Sequence, residues 1–184
     1  MRNAEIFSIE AHESVNHKYG EGLPYAFHLR MVNRVAKQFS HLLDNTLEYF
    51  SGEPLSHFNK GRSLQAVCLD SSWAHDLIED ARLTYNDVKD SLGIEVAEVV
   101  YALTNEKGRT RAERANEKYY QGIKSTKGAT FVKLCDRIAN VQYSQFIGSR
   151  MFEMYKKEQP HFEQMLRVEG EYTEMWDYLN SLYK

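Results

Sequence analysis

The segment His75-Asp76-Leu-Ile-Glu79-Asp80 places four ionisable side chains within six residues of an otherwise apolar run. On a continuous helix, residues four apart share a face, which would put His75 over Glu79 and Asp76 over Asp80. An imidazole beside a carboxylate can bind one divalent cation, and carboxylates one turn later can reach an attacking water or a substrate proton. The alternative is a charged helix end that faces solvent, and this segment alone does not decide between the two.

His28 is a second candidate metal ligand, distant from this segment in the chain. Apolar residues spaced three to four apart predict a helix over 24–39 with Pro24 in its first turn, and His28 falls on or beside the apolar stripe. A lone histidine at such a position is more often a core residue than a ligand. It gains weight from His75 and Asp76, because a metal site draws its ligands from separate elements.

Asp136 interrupts the apolar pattern of the most hydrophobic predicted helix, 129–147, and Asn140 lies one turn later on the same face. A buried carboxylate needs a partner. Arg137 could pair with it, but an adjacent residue on a helix points about 100° away. A metal ion is therefore a serious candidate partner for Asp136.

Together, these positions give two imidazoles and two carboxylates on three predicted helices, namely His28, His75, Asp76 and Asp136. Nitrogen and oxygen ligands without thiolate suit Mn²⁺, Fe²⁺ or Co²⁺, with Zn²⁺ as an option and Mg²⁺ or Ca²⁺ disfavoured by the imidazoles. Four protein ligands in a six-coordinate sphere leave positions for water and substrate, as hydrolytic metal chemistry requires.

Length and composition favour one all-α domain, residues 1–184, with a substantial core. The net charge of −3, from 23 basic and 26 acidic residues interspersed along the chain, predicts no binding to duplex nucleic acid or to a membrane. Cys68 and Cys135 lie in apolar runs outside any paired motif, which indicates reduced core thiols. No signal peptide or membrane span is evident, so a cytoplasmic location is expected.

Helical periodicity predicts most of the remaining elements. The predicted helices cover 3–18, 42–50, 63–80, 85–92, 94–103 and a segment ending near 123, with a strand as the alternative over 96–102. Thr84 and Asp87 match a capping box, and Gly93 is expected to close the following helix in a left-handed conformation. Pro160 is expected to break the C-terminal region.

A basic segment before residue 123 contains Lys107, Arg109, Arg111 and Arg114. It is either a solvated loop or a source of positive charge beside the metal site. Because the net charge of the chain is negative, a phosphate-bearing substrate would have to be attracted by the metal and by local cations. This segment and Lys18 supply such cations.

The order His, His-Asp, Asp resembles that of the HD-domain metal-dependent phosphohydrolases. Three longer segments resemble more closely the hydrolase domain of RelA/SpoT-type enzymes and the single-domain small alarmone hydrolases. They are Gly22-Leu-Pro-Tyr-Ala-Phe-His28, His75-Asp-Leu-Ile-Glu-Asp80 with Thr84, and Lys127-Gly-Ala followed by Val-Lys-Leu-Cys-Asp136-Arg-Ile-Ala-Asn140. The similarity extends from about residue 11 to 165.

This resemblance implies an HD-domain-like helix bundle around a metal site, and hydrolysis of the 3′-pyrophosphate of ppGpp or pppGpp with Mn²⁺ as the preferred metal. The residues implied as metal ligands are His28, His75, Asp76 and Asp136. Glu79 and Asp80 would orient or deprotonate the attacking water. Lys18, Asn140 and Tyr155 match positions that contact the nucleotide.

Two other functions are compatible with the same residues. The first is an HD phosphohydrolase that acts on another nucleotide, such as a nucleoside monophosphate. The second is a non-catalytic module that binds a nucleotide or a protein and keeps the metal for stability. The Glu79-Asp80 pair and a panel of substrates would separate the alarmone hydrolase from other HD phosphohydrolases. Against the non-catalytic module, every polar position that the chemistry requires is filled. The sequence does not indicate an oligomeric state.

Overall fold

The computed structural model describes residues 1–45 and 62–184, and these form a helical bundle. The first helices are α1 (Ala4–Ser14), α2 (Ala26–Gln38), α3 (Leu64–Ala74), α4 (Leu77–Asp80), α5 (Tyr85–Leu92) and α6 (Ile94–Leu103). The later ones are α7 (Arg111–Arg114), α8 (Glu117–Ser125), α9 (Ala129–Phe146), α10 (Arg150–Leu166) and α11 (Thr173–Ser181). The expected all-α class is confirmed.

A small hairpin replaces the end of the first predicted helix. Strands β1 (Lys18–Tyr19) and β2 (Leu23–Pro24) pair antiparallel, with Tyr19 opposite Leu23. Gly20 and Gly22 take φ values of 55° and 98°, which β-carbon-bearing residues rarely adopt. The prediction of Pro24 in the first turn of a helix was therefore wrong. Pro24 ends the hairpin, and α2 begins at Ala26.

The prediction of a single helix over 63–80 was also wrong, because the chain turns at His75 and Asp76. α3 ends at Ala74, and Asp76 has φ −105° and ψ 4°, outside helical geometry. The Nδ1 of His75 lies 3.1 Å from the carbonyl oxygen of Ser72, so the imidazole takes up an acceptor at the end of α3. The side chains of His75 and Asp76 consequently leave the helix surface and turn inward, where His75 is buried.

α9 is the central helix and contacts α2, α3, α6, α8, α10 and α11. Its apolar side chains Phe131, Leu134 and Ile138 are fully buried within one continuous hydrophobic cluster. α2 also packs against α3, so α2, α3 and α9 contact one another pairwise. The three elements that carry the candidate metal ligands are thus held together by core packing.

Several local predictions are confirmed and others corrected. The side chains of Thr84 and Asp87 form the expected capping box at the start of α5, and residues 94–103 are helical, so the strand alternative was wrong. Gly93 has a positive φ of 97°, but its ψ of 161° is extended rather than left-handed helical. Pro160 lies inside α10, which continues to Leu166 without a break.

The buried cysteines Cys68 and Cys135 are free thiols, as expected. The short helix predicted over 42–50 falls largely on residues 46–61, outside the described residues. None of the described helices is long and apolar enough to span a bilayer. The cytoplasmic location and the interpretation of residues 1–184 as one HD-type hydrolase domain stay predictions.

Gly128→Ala should lower the free energy of unfolding by about 2–4 kcal/mol, because a β-carbon there meets two obstacles. Gly128 has φ 85°, and an added Cβ would lie 2.6 Å from the Sγ of Cys68. Urea denaturation followed by circular dichroism measures this loss. Gly122→Ala in α8 is the matched control, since its Cβ would meet no atom within 4 Å, and it should stabilise the protein by about 0.5–1 kcal/mol. Equal stabilities of the two variants would contradict the close approach at Gly128.

Candidate metal centre and active site

Between α2, α9 and the turn after α3, His28, His75 and Asp136 bring ligand atoms within 4.8 Å of one another, and Asp76 lies beside the two histidines. The two imidazole Nε2 atoms of His28 and His75 are 3.2 Å apart. The Oδ1 of Asp136 lies 3.4 Å from the Nε2 of His28 and 3.7 Å from that of His75. The Oδ2 of Asp76 lies 2.8 Å from the Nε2 of His75 and 3.7 Å from that of His28.

These spacings fit the ligand shell of a divalent ion. Ligand atoms about 2.0–2.2 Å from a common ion are separated by roughly 3–3.5 Å. The Nδ1 of His75 faces the carbonyl oxygen of Ser72 at 3.1 Å, so it carries the proton and the Nε2 lone pair is free for a metal. Two facing imidazole nitrogens and two carboxylates without a cation would repel one another. The donor set is therefore suited to a divalent metal, with His28, His75 and Asp136 forming its most compact part.

Electrostatic interactions in the cluster point the same way. Burial opposes the charged form of His75, but the carboxylates of Asp76 and Asp136 outweigh it and raise the pKa of His75 to about 9. Burial also opposes ionisation of Asp76, yet His75 holds the pKa of that carboxyl below its usual range. In the metal-free protein, a proton on His75 therefore offsets negative charge that a cation would otherwise neutralise.

Asp136 is held by two further side chains of α9. The Nζ of Lys133 is 3.2 Å from its Oδ2, and the Nδ2 of Asn140 is 2.5 Å from its Oδ1. The hydroxyl of Tyr19 in turn donates to the Oδ1 of Asn140 at 2.8 Å. The amide of Asn140 is therefore already engaged on both sides, which fixes its orientation. Lys133, which sequence reasoning missed, is the ionic partner that the buried carboxylate required.

Asp76 is oriented from the opposite side by Tyr25, whose hydroxyl donates a short hydrogen bond to its Oδ2. The ring of Tyr25 stacks on His17 and His12, with centroid separations of 3.9 and 4.3 Å. Sequence reasoning missed this group, although Tyr25 lies within a motif used for the resemblance. The residue types of His12 and His17 gave no signal that both would stack on Tyr25.

Glu79 and Asp80 lie in the same cavity as the ligand cluster and remain partly open to solvent. Partial burial, together with the charges of Asp76 and Glu79, raises the pKa of Asp80 to about 6. Asp80 is thus ionised at neutral pH and close to the range in which a carboxylate accepts a proton efficiently. Glu79 accepts hydrogen bonds from Asn105, with 2.7 Å between the Nδ2 of Asn105 and the Oε1 of Glu79.

The cavity has a volume of about 350 Å³, and its far wall is basic and aromatic. Arg111 reaches from α7 to Glu158 on α10 with two hydrogen bonds of 3.0 and 3.2 Å, and Arg137 contacts the same carboxylate at 3.1 Å. The guanidinium carbon of Arg137 lies 4.8 Å from the ring centroid of Tyr155. Arg114 also lines this wall, and its Nε is buried without a hydrogen-bond partner among the described residues.

The structure brings most of the predicted site residues together. His28, Asp76, Glu79, Asp80, Asp136, Asn140 and Tyr155 all line the cavity, and His75 contributes its buried Nε2 to the ligand cluster. Lys18 lies on β1. Like Lys107 and Arg109, it is exposed and does not line the cavity. Of the basic segment, Arg111 and Arg114 reach the cavity wall. Asn105 is a further lining residue that sequence reasoning missed.

Comparison with known proteins identifies relatives of one kind. No protein-family model matches the chain. The chain is 26% identical over 136 residues to the Danio rerio protein named guanosine-3′,5′-bis(diphosphate) 3′-pyrophosphohydrolase MESH1. The aligned region covers 74% of this chain and 64% of that protein. The MESH1 proteins of Mus musculus and Homo sapiens are also 26% identical over 142 residues, or 77% of this chain and 68% of each. The match thus spans less than two thirds of the Danio rerio protein.

The fold was compared with solved structures. One is described as a metazoan orthologue of SpoT that hydrolyses ppGpp and plays a role in starvation responses. It superposes on this chain with a TM-score of 0.69 at 16% sequence identity, and the superposition covers 98% of this chain and 91% of that one. At this level of identity the superposition bears on the fold, and it confirms the expected all-α, HD-like bundle. Together with the relatives above, it confirms that the chain resembles the HD-domain (p)ppGpp hydrolases of the RelA/SpoT type.

Proposed function

We propose that this protein is a metal-dependent hydrolase that removes the 3′-pyrophosphate of ppGpp and pppGpp, yielding GDP or GTP and pyrophosphate. The observation that carries the proposal is the convergence of two imidazoles and two carboxylates in one cavity with a second pair of carboxylates, Glu79 and Asp80. The substrate is supported by the activity for which the MESH1 relatives are named.

In this proposal, the residues that hold the metal are His28, His75, Asp76 and Asp136, and the metal is Mn²⁺. A divalent ion, when bound, supplies Lewis acidity that favours deprotonation of a nearby water at neutral pH and offsets phosphate charge. Tyr25 and Lys133 fix the carboxylates of Asp76 and Asp136 in place. Mixed imidazole and carboxylate ligands suit Mn²⁺ better than the harder Mg²⁺ or Ca²⁺.

Glu79 and Asp80 orient and deprotonate the attacking water. Glu79 accepts one of its hydrogens and orients it, whereas Asp80 takes the proton. The pKa of Asp80, raised to about 6, leaves it ionised at pH 7 yet basic enough to accept that proton. In-line attack on the sugar-proximal phosphorus of the 3′-diphosphate then releases pyrophosphate and the 3′ hydroxyl.

The arginine-rich wall binds the remainder of the nucleotide. Arg111 and Arg114 present positive charge to phosphate, and the ring of Tyr155 offers a surface for the base or sugar. Asn140 contributes through the lone pair of its Oδ1 that Tyr19 leaves open. Lys18 lies on the hairpin and does not line the cavity. In this proposal its positive charge attracts the diphosphate toward the site over a longer distance.

Product identity tests the reaction. Mn²⁺-loaded protein should convert ppGpp to GDP and intact pyrophosphate, as measured by ion-exchange chromatography with ³¹P NMR of the products. GTP, deoxynucleoside triphosphates and monophosphates should react at least tenfold more slowly. Stepwise release of orthophosphate, or faster turnover of a monophosphate, would assign the site to a different phosphohydrolase. Tight ppGpp binding without any turnover would indicate the non-catalytic module.

Substitutions separate the metal ligands from the proposed acid–base pair. Asp136→Ala should lose both bound metal and activity, because it removes a ligand. Glu79→Ala should retain most bound metal while kcat falls by about 10², because the water loses the carboxylate that aligns it for proton transfer to Asp80. Elemental analysis after gel filtration gives metal content, and initial rates give kcat. Equal metal loss in the two variants would place Glu79 among the ligands.

Metal binding should release about one proton at pH 7.5, because His75, with a pKa near 9, must become neutral to act as a ligand. Metal affinity should accordingly weaken as the pH falls from 9 to 6. Calorimetric titration with Mn²⁺ in buffers of different ionisation enthalpy counts the protons. His41→Gln is the matched control, since His41 is exposed and pairs only with Glu174 among the described residues. Binding without proton release would contradict the charge state assigned to His75.

A further inference from the structure

Glu79 needs an external constraint to act as an orienting group. Its side chain is exposed, and a glutamate without a partner samples many rotamers, so its carboxylate is not held in one orientation. Asn105 supplies the constraint with two donors. Its Nδ2 lies 2.7 Å from the Oε1 of Glu79, and its backbone nitrogen lies 3.4 Å from the Oε2. No other hydrogen bond reaches the Glu79 carboxylate from residues 1–45 or 62–184.

Asn105 can impose this orientation because the chain on either side of it is anchored. On the preceding side, the carbonyl of Leu103 accepts a buried hydrogen bond of 3.1 Å from the hydroxyl of Tyr119. On the following side, the backbone nitrogen of Glu106 donates to the carbonyl of Arg114 at 3.2 Å. Asn105 itself lines the cavity. A donor on a fixed backbone can orient a mobile carboxylate, whereas a donor on a loose loop would move with it.

The two carboxylates of the pair differ in this respect. Asp80 receives no side-chain hydrogen bond from the described residues, and the positive charges of His75 and Arg114 act on it only through space. Glu79 is therefore the fixed member of the pair and Asp80 the free one. This difference suits a division of labour in which one carboxylate holds the water and the other takes its proton.

We propose that Asn105 is a positioning residue that acts through Glu79, holding both carboxylate oxygens so that the group is aligned with the attacking water. The proposal rests on the hydrolytic function proposed above. It assigns a role in the active site to the segment between α6 and α7.

A kinetic double-mutant cycle tests the proposal. Asn105→Ala should lower kcat about tenfold, the lower end of the effect of losing a residue that orients an active-site group, and should leave KM and metal content unchanged. In a Glu79→Ala background, which removes the acceptor of Asn105, the same substitution should cause no further loss. In an Asp80→Asn background the tenfold loss should persist. A loss that is equal in all three backgrounds would assign Asn105 a merely structural role and overturn the proposal.

A neighbouring residue provides the matched control. Glu106 pairs with the exposed Lys118 at 2.7 Å, and ion pairs that face solvent contribute little to stability. Glu106→Gln should therefore keep wild-type kcat and stability. If Glu106→Gln lowers kcat as much as Asn105→Ala, the segment matters as a whole and the specific role of Asn105 is refuted.

A measurement without substrate separates this proposal from the proposed function. In NMR spectra, the side-chain amide resonances of Asn105 should shift in Glu79→Ala and keep their positions in Asp80→Ala. If the wild type hydrolyses none of the nucleotides but these shifts are seen, the reaction is wrong and the contact stands. If ppGpp is hydrolysed but the Asn105 resonances ignore Glu79→Ala, the contact is wrong and the reaction stands.

Discussion

The structure depends on one electrostatic constraint, namely that two carboxylates and two imidazole lone pairs are directed at the same buried point. Such a group is unfavourable unless a proton or a cation offsets its charge. The ligands reach this point from different elements, namely His28 from α2, Asp136 from α9, and His75 and Asp76 from the turn that follows Ala74. The constraint explains why Tyr25 and Lys133, each partnered with one carboxylate, lie around the cluster.

The arrangement of charge across the cavity resolves an apparent conflict between a chain of net charge −3 and the polyanionic substrate proposed for it. The acidic residues are concentrated at one end, around the ligand cluster and Asp80. The guanidinium groups of Arg111, Arg114 and Arg137 line the other end. Glu158 pairs with two of these guanidinium groups and keeps them extended across the wall. Attraction of phosphate is therefore a local property, and net charge is a poor guide to it.

Sequence reasoning succeeded where local pattern and tertiary structure agree. The apolar spacing of α6 and α9 predicted their positions because both helices bury most of their apolar side chains. The ligand atoms of His28 and Asp136 could be suggested because polar residues in apolar stripes stand out. The hairpin at Lys18–Pro24 and the turn at His75 could not be predicted, since short elements carry little periodicity and the turn is imposed by tertiary contacts.

The residues that support the site were harder to find than the site itself. Asn105 contacts Glu79 across a separation of 26 positions, and Tyr19 contacts Asn140 across 121. Their residue types are ordinary in loops and hairpins, so composition and spacing gave no signal. A charged ligand in an apolar helix interrupts the hydrophobic pattern of that helix, whereas a residue that only orients the ligand interrupts no such pattern.

Pro160 leaves one carbonyl of α10 without its helical hydrogen bond, in the part of the helix that lines the cavity. An imino acid donates no backbone hydrogen bond, so the carbonyl of Lys156, one turn earlier in α10, lacks its usual helical donor. Lys156 is exposed, which lets water satisfy that carbonyl. The turn that contains this carbonyl carries Glu158, which pairs with Arg111 and Arg137 in the cavity wall. The helix therefore continues through Pro160 into the buried Phe162, because the one carbonyl that loses its donor is open to water.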